Sequence, residues 1–144
     1  MSSFTFDSPA SRVIFGAGTV SLLPVEIERL GAKRAILVAT AGRATLTNRV
    51  REMLGGRVVE TFERAVPHVP EEVARTARAA ATASSADVII ALGGGSAIGV
   101  AKAIALTSAL PIVAVPSTYG GSEMTPIWGM TQDGRKETGR NAAV

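Results

Sequence analysis

The sequence predicts an α/β fold: an open, mostly parallel sheet with helices on both faces, preceded by an N-terminal extended strand or hairpin. Three observations carry this. Runs of strand length recur at 34–40, 57–62, 87–92 and 111–115. Most are continuously apolar, as strands covered on both faces must be. The stretches between them space their apolar residues as helices do, so strand and helix alternate along the chain. Finally, 47% of the residues are hydrophobic but only 4% aromatic. Ala, Val, Ile and Leu must therefore fill the core, which suits Ala-rich helices lying on buried strands.

Taken in order, residues 5–15 read as extended, with Pro9 inside, and end at the turn Gly16-Ala17-Gly18. Thr19 or Ser21 is placed to cap a helix whose apolar residues Leu22, Leu23, Ile27 and Leu30 share one face; Gly31 stops it. The strand at 34–40 turns at Ala41-Gly42 into a helix at 45–54, closed by Gly55-Gly56. A short strand at 57–62 leads to the rigid loop Pro67-His68-Val69-Pro70. The next helix begins after Pro70 with Glu71 and Glu72 in its first turn, where negative charge suits the helix dipole. It runs to about Ser84 through an Ala-rich stretch that reads as a close-packed face. A strand at 87–92 enters Gly93-Gly94-Gly95-Ser96, and a helix follows at 97–107. After the strand at 111–115 the chain is loop-rich, with a hairpin expected around Asp133-Gly134. Residues 138–144 look like the start of a further strand, and no Gly- or Ser-rich linker precedes the last residue. A truncated piece of a longer protein is the expectation.

Composition excludes several classes. The formal charge is +3, and the Arg residues are scattered among Glu26, Glu28 and Glu52. That is a solvated surface, not the basic, aromatic-interleaved face of a nucleic-acid binder. There are no cysteines and one histidine, His68, so thiolate chemistry and a His-rich metal site cannot be built from this chain alone. No apolar stretch reaches the ~20 residues of a membrane span, and the first ten residues lack a signal-peptide core. No membrane and no nucleic acid are expected as partners, and a cytoplasmic location is the default.

The sharpest local feature is the strand–glycine turn–helix unit at 88–102. Glycines allow positive φ and close ligand approach. The free N–H groups at the start of the next helix then face an anion. The unit is not a P-loop: Gly94 and Gly99 have the glycine spacing, but Val100-Ala101 stands where Lys-Ser/Thr is needed. Nor is it the Rossmann fingerprint, because Ile98 occupies the third glycine position. It reads as a phosphate cradle of another kind, with tight strand-to-helix packing as the plainer alternative.

Gly93-Gly94-Gly95-Ser96, followed by Ala101-Lys102, resembles the cofactor motif of the iron-containing alcohol dehydrogenase superfamily, which has the dehydroquinate-synthase-like fold. The segment from Pro116 to Thr125 resembles its second motif. Two departures narrow the match. Metal-dependent members typically carry Asp at the position of Gly99, and their second motif is one residue longer. Both departures resemble the maleylacetate reductases. So do Phe4-Thr5-Phe6, Arg12 to Gly18, Pro67 to Pro70 and Met124 to Gly129.

The resemblance implies reduction of the carbon–carbon double bond of maleylacetate to 3-oxoadipate with NADH or NADPH, in bacterial breakdown of aromatic compounds. It implies no metal. It also implies a homodimer of two-domain subunits, whose active site lies in a cleft between this α/β domain, 1–144, and a C-terminal helical domain absent from this chain.

On this reading Gly93, Gly94, Gly95 and Ser96 cradle the pyrophosphate. Ser117, Thr118 and Ser122 offer hydroxyls beyond a strand end, where ligands bind in open α/β sheets; a satisfied Ser/Thr turn is the alternative. Thr40, Ala41 and Arg43 mark the adenosine end. No acidic residue there repels a 2′-phosphate, so NADPH is expected to be accepted alongside NADH. Lys102 serves the cofactor side or is an exposed helix lysine. His68 faces the cleft or, as the plainer reading, is structural; Tyr119 and Trp128 are read as substrate-side or core residues, and Glu123 as a structural hydrogen-bonding group. Residues 4–15 are expected at the dimer contact, which would cover an otherwise free edge.

Hydride transfer to the alkene needs a general acid to protonate the neighbouring carbon, and reduction beside a ketone needs donors that stabilise enolate charge. The sequence offers no candidate for the acid, so the catalytic residues stay unknown. The chain by itself is expected to bind cofactor weakly and to turn over little or no substrate. Two rival readings stay open: a metal-dependent alcohol or glycerol dehydrogenase of the same superfamily, and a non-catalytic nucleotide-binding module.

Overall fold

The structure, a computed structural model, describes residues 11–144. Its centre is a four-stranded sheet in the order β2-β1-β3-β4, with every neighbouring pair parallel. The strands are β1 (Ala35–Ala39), β2 (Val58–Phe62), β3 (Val88–Gly93) and β4 (Ile112–Pro116). The helices are α1 (Leu23–Arg29), α2 (Ala44–Leu54), α3 (Glu71–Ala83) and α4 (Gly95–Ser108).

Every residue of β1 and β3 is buried, which is why these two read as unbroken apolar runs. Their side chains alternate between two core layers. Ile36, Val38, Ile89 and Ala91 meet Ala74, Ala77 and Ala81 of α3 and the apolar face of α4. Leu37, Ala39, Ile90 and Leu92 meet Leu23 and Ile27 of α1 and Val50 and Leu54 of α2. Small Ala side chains let α3 approach closely, as its composition predicts.

The order of the strands locates the functional end. From β1 the chain moves outward to β2; from β3 it moves the other way, to β4. The direction therefore reverses between β1 and β3, and the crevice at their carboxyl ends is where such sheets take ligands.

Several expectations need correction. Neither Thr19 nor Ser21 caps a helix. The chain opens with a 3-10 turn over Thr19–Leu22, the Thr19 hydroxyl donates back to Gly16 O at 3.0 Å, and α1 has no side-chain cap. Helix α4 begins at Gly95, not 97, so the glycine turn is shorter than the sequence suggests. Residues 138–144 do not start a new strand. Part of them belongs to β6 (Arg135–Arg140), which pairs antiparallel with β5 (Ile127–Gln132). Their tight turn has Asp133 at φ +49° and Gly134 at φ +72°, as a two-residue hairpin loop requires. Of the expected segment at 5–15, residues 11–15 carry no strand and are exposed; the rest, with Phe4-Thr5-Phe6, lies outside the described residues. Among the described residues no helix is long and apolar enough to cross a membrane.

The segment before α1 is tied down by charge. Arg12 donates two hydrogen bonds to Glu26, at 2.9 and 3.0 Å, and Arg29 adds one at 2.9 Å. These, Arg12 first, hold the Glu26 carboxyl below its ordinary value. A lowered carboxyl pKa contributes stability above the unfolded value, and the contribution is lost as pH falls through the folded one. Glu26→Gln is thus expected to unfold slightly more readily than the native chain at neutral pH and equally readily in strong acid. Superimposable pH–stability profiles would contradict this.

Candidate functional site

The carboxyl ends of β1, β3 and β4 converge on the glycine turn. Gly93 ends β3 at φ +142°, a conformation that L side chains rarely adopt. A Cβ there would stand 3.3 Å from Ala97 Cβ and 3.9 Å from Thr40 Oγ1, so the end of β1 lies beside the turn. On the other side the Ser117 N–H donates to Gly93 O at 3.0 Å, which joins the end of β4 to it. Thr118 comes closest. A Cβ on Gly94 would lie 2.9 Å from its Oγ1, so a side chain at 94 would fill the space the turn leaves open.

Gly94 is also the N-cap of α4, and among the described residues no side chain caps this helix. Ile98 N–H bonds to Gly94 O at 3.2 Å. By helix geometry the N–H groups of Gly95, Ser96 and Ala97 precede the first intrahelical bond. They sit at the positive end of a 14-residue helix. A bare glycine approach, uncapped amides and two threonine hydroxyls fit the pyrophosphate of a dinucleotide. The glycine turn, Thr40, Ser117 and Thr118 are thus one constellation. The contacts above do not reach Ala41, Arg43 or Ser122. Ala41 and Arg43 follow β1 at the same end of the sheet, both exposed, and Ser122 is half-buried in a 3-10 turn at Ser122–Met124.

Other residues fall differently from their sequence reading. Lys102 is neither exposed nor at the glycine turn; it is buried, and its Nζ donates to Thr125 O and Ile127 O. Among the described residues Glu123 makes no structural hydrogen bond through Oε2, which is buried. Tyr119 is 95% exposed, which rules out core packing. Trp128 lies across the hairpin on Gly139, whose Cβ would meet its ring at 2.7 Å. The His68 side chain is exposed, and its carbonyl accepts from Thr131 Oγ1 at 2.9 Å.

A further feature escaped the sequence reading. His68 and Val69 both take positive φ, +66° and +44°. For a β-branched residue that is a strained conformation. Val69 is buried, and its Cγ2 stands 2.7 Å from where a Cβ on Gly99 would be. Thr131 N–H holds Val69 O at 3.0 Å. The 67–70 loop is thus clamped between the first turns of α4 and strand β5. Two prolines around a valine signal a constrained loop, but no local pattern names Gly99 as its seat.

Among the described residues no group of three or more His, Asp or Glu is placed to hold a metal ion.

Comparison with known proteins bears on this site. The family model described as iron-containing alcohol dehydrogenase matches residues 10–143. The chain is 49% identical, over all 144 of its residues, to a maleylacetate reductase of Burkholderia cepacia, and covers 41% of that protein. It is 49% identical over 133 residues to maleylacetate reductase 2 of Cupriavidus pinatubonensis, covering 92% of this chain and 37% of the relative. The crystal structure of a maleylacetate reductase from Agrobacterium tumefaciens superposes with a TM-score of 0.94 at 38% identity, covering 99% of this chain and 41% of that one. The chain therefore spans about two-fifths of the length of the relatives it matches.

Proposed function

The chain belongs to the iron-containing alcohol dehydrogenase family, and from that premise we propose that it is the nicotinamide-cofactor-binding α/β domain of a maleylacetate reductase. The rest of the active site then lies in a second, helical domain, and the whole enzyme reduces the maleylacetate double bond to 3-oxoadipate with NADH or NADPH. The observation that carries the reading is the uncapped start of α4 beneath Gly94, closed over by Thr118 at the point where the strand order reverses.

Each residue has a part. Gly93 and Gly94 let the backbone approach the pyrophosphate, and the N–H groups of Gly95 and Ser96 bind its charge. Thr118 and Ser117 fix it from the β4 side, Thr40 from the β1 side, and Ser122 lines the segment beyond. Ala41 and Arg43 border the adenosine ribose. When bound, the reduced nicotinamide supplies a hydride. No residue of this chain is assigned the proton transfer. The whole enzyme would be a homodimer.

Titration of the chain with NADH and with NADPH, followed by nicotinamide fluorescence, tests the reading. Saturable binding of both below about 1 mM, the upper end of ordinary enzyme–substrate affinities, is expected. No binding of either would overturn it. The 2′-phosphate distinguishes the adenosine end: Arg43→Glu is expected to weaken NADPH about tenfold while changing NADH little, a selective loss of one charge contact worth ~1.4 kcal/mol. Equal effects on the two cofactors would remove Arg43 from the site.

A further inference from the structure

Lys102 sits in the middle of an apolar helix, between buried Ala101 and Ala103, and is itself only 3% exposed. Its ammonium donates to the carbonyls of Thr125 and Ile127, each at 2.6 Å. An ammonium has three donors. Burial lowers its pKa, an effect partly opposed by the Glu123 carboxylate, and Glu123 Oε2 is buried without a partner among the described residues. Removing an ammonium from water is costly unless it is bonded and balanced. An apolar residue would suit the helix better, yet the lysine here holds two backbone carbonyls of a neighbouring segment.

Thr125 and Ile127 stand where the segment 117–124 ends and β5 begins. That segment carries Thr118, which closes over Gly94, and Ser122. Its start is tied to the glycine turn through Ser117 N–H and Gly93 O. Its far end is tied to α4 by Lys102. One rigid helix thus presents its N-terminus to the candidate anion site and, about two turns on, anchors the far end of the segment that covers that site.

We propose that Lys102 is a positioning residue for the cofactor site: by holding the Thr125 and Ile127 carbonyls it sets the 117–124 segment against the glycine turn, with Glu123 balancing its charge. This rests on the cofactor-binding reading above.

The test compares NADH affinity and backbone amide exchange in the chain and three variants. Lys102→Met removes the donors, and Lys102→Gln keeps a polar end one atom too short to span both carbonyls. Arg34→Ala is the control. It deletes hydrogen bonds to Ser84 O and Ser85 O at the opposite end of the sheet, so it lowers stability without touching the segment. Both Lys102 variants are expected to bind NADH about tenfold more weakly, a loss of ~1.4 kcal/mol. Amides of 118–127 should exchange faster while β1 and β3 stay protected. Arg34→Ala should keep its affinity. Native affinity in a folded Lys102 variant, or an equal loss in Arg34→Ala, overturns the proposal. If Lys102→Met does not fold, Lys102→Gln decides. Failure of the unaltered chain to bind NADH overturns the function proposed above instead. Exchange then decides separately, and unchanged protection at 118–127 sinks the anchoring.

Discussion

Gly94→Asp is expected to weaken NADH binding at least about hundredfold, a loss of ~2.7 kcal/mol, without lowering the melting temperature. The two readouts part for a physical reason. Asp is among the best N-cap residues and complements the helix dipole, so its carboxylate bonds to the N–H groups at the start of α4 and supports the helix. Those are the same groups offered to the pyrophosphate. The carboxylate occupies them and repels the ligand, while its Cβ enters the space now 2.9 Å from Thr118 Oγ1. Thr118 is exposed and on a loop, so it can yield without cost to the core. Charge-assisted hydrogen bonds contribute ~1.5–3 kcal/mol each, so losing a pair accounts for the expected drop. NADH titration and thermal melting of the same sample check it. Unchanged affinity would remove the cradle from the site, and a large drop in melting temperature would show that the turn serves packing instead.

Gly99→Asp is expected to cost about 2–4 kcal/mol of stability, overpacking and a poorly solvated carboxylate acting together. In a chain of this size that is roughly 5–15 °C in melting temperature. The new Cβ meets Val69 Cγ2 at 2.7 Å, and Val69 cannot easily retreat. Its backbone is already at φ +44°, and Thr131 grips the carbonyls on both sides of its N–H. The gain in helix propensity over glycine, under ~1 kcal/mol, does not compensate. Val69→Gly vacates the space and accepts the positive φ. In combination with Gly99→Asp the losses should therefore be clearly less than additive, as expected for residues in contact. Additive losses in denaturant unfolding would show that the two positions do not press on each other. The space beside Gly99 is taken by Val69, so the glycine at this position has a packing reason of its own.

Periodicity and punctuation made most of the fold legible. The unbroken apolar runs marked β1 and β3, because strands covered on both faces have no polar side to show. The Ala face of α3 and the Asp133-Gly134 hairpin turn followed equally from local chemistry. The second arm of that hairpin did not. Arg135–Arg140 is mostly exposed and charged, and pairing across the turn makes it a strand where composition alone suggests a loop. Caps are ambiguous in sequence for a related reason. A Thr near a helix start can serve a turn instead, as Thr19 does with Gly16 O.

For the candidate site, the glycine turn is legible because glycines before a bare helix start form a local pattern. Gly93, Gly94 and the hydroxyls beyond β4 were named from sequence alone. What the sequence by itself determined is therefore the set of local choices: which segments are strand or helix, where the backbone is free to take positive φ, and which helix start is left bare. What only the tertiary structure decided are the pairings between segments far apart in the chain. They are Thr118 against Gly94, Val69 against Gly99, and Lys102 against the carbonyls of Thr125 and Ile127. A lysine within the apolar run of α4 was the one available hint of burial. Its partners are backbone carbonyls, which every residue carries, so no side-chain pattern could point to them. The sheet order brings these segments together, and close packing then decides which small residue must stand beneath which side chain.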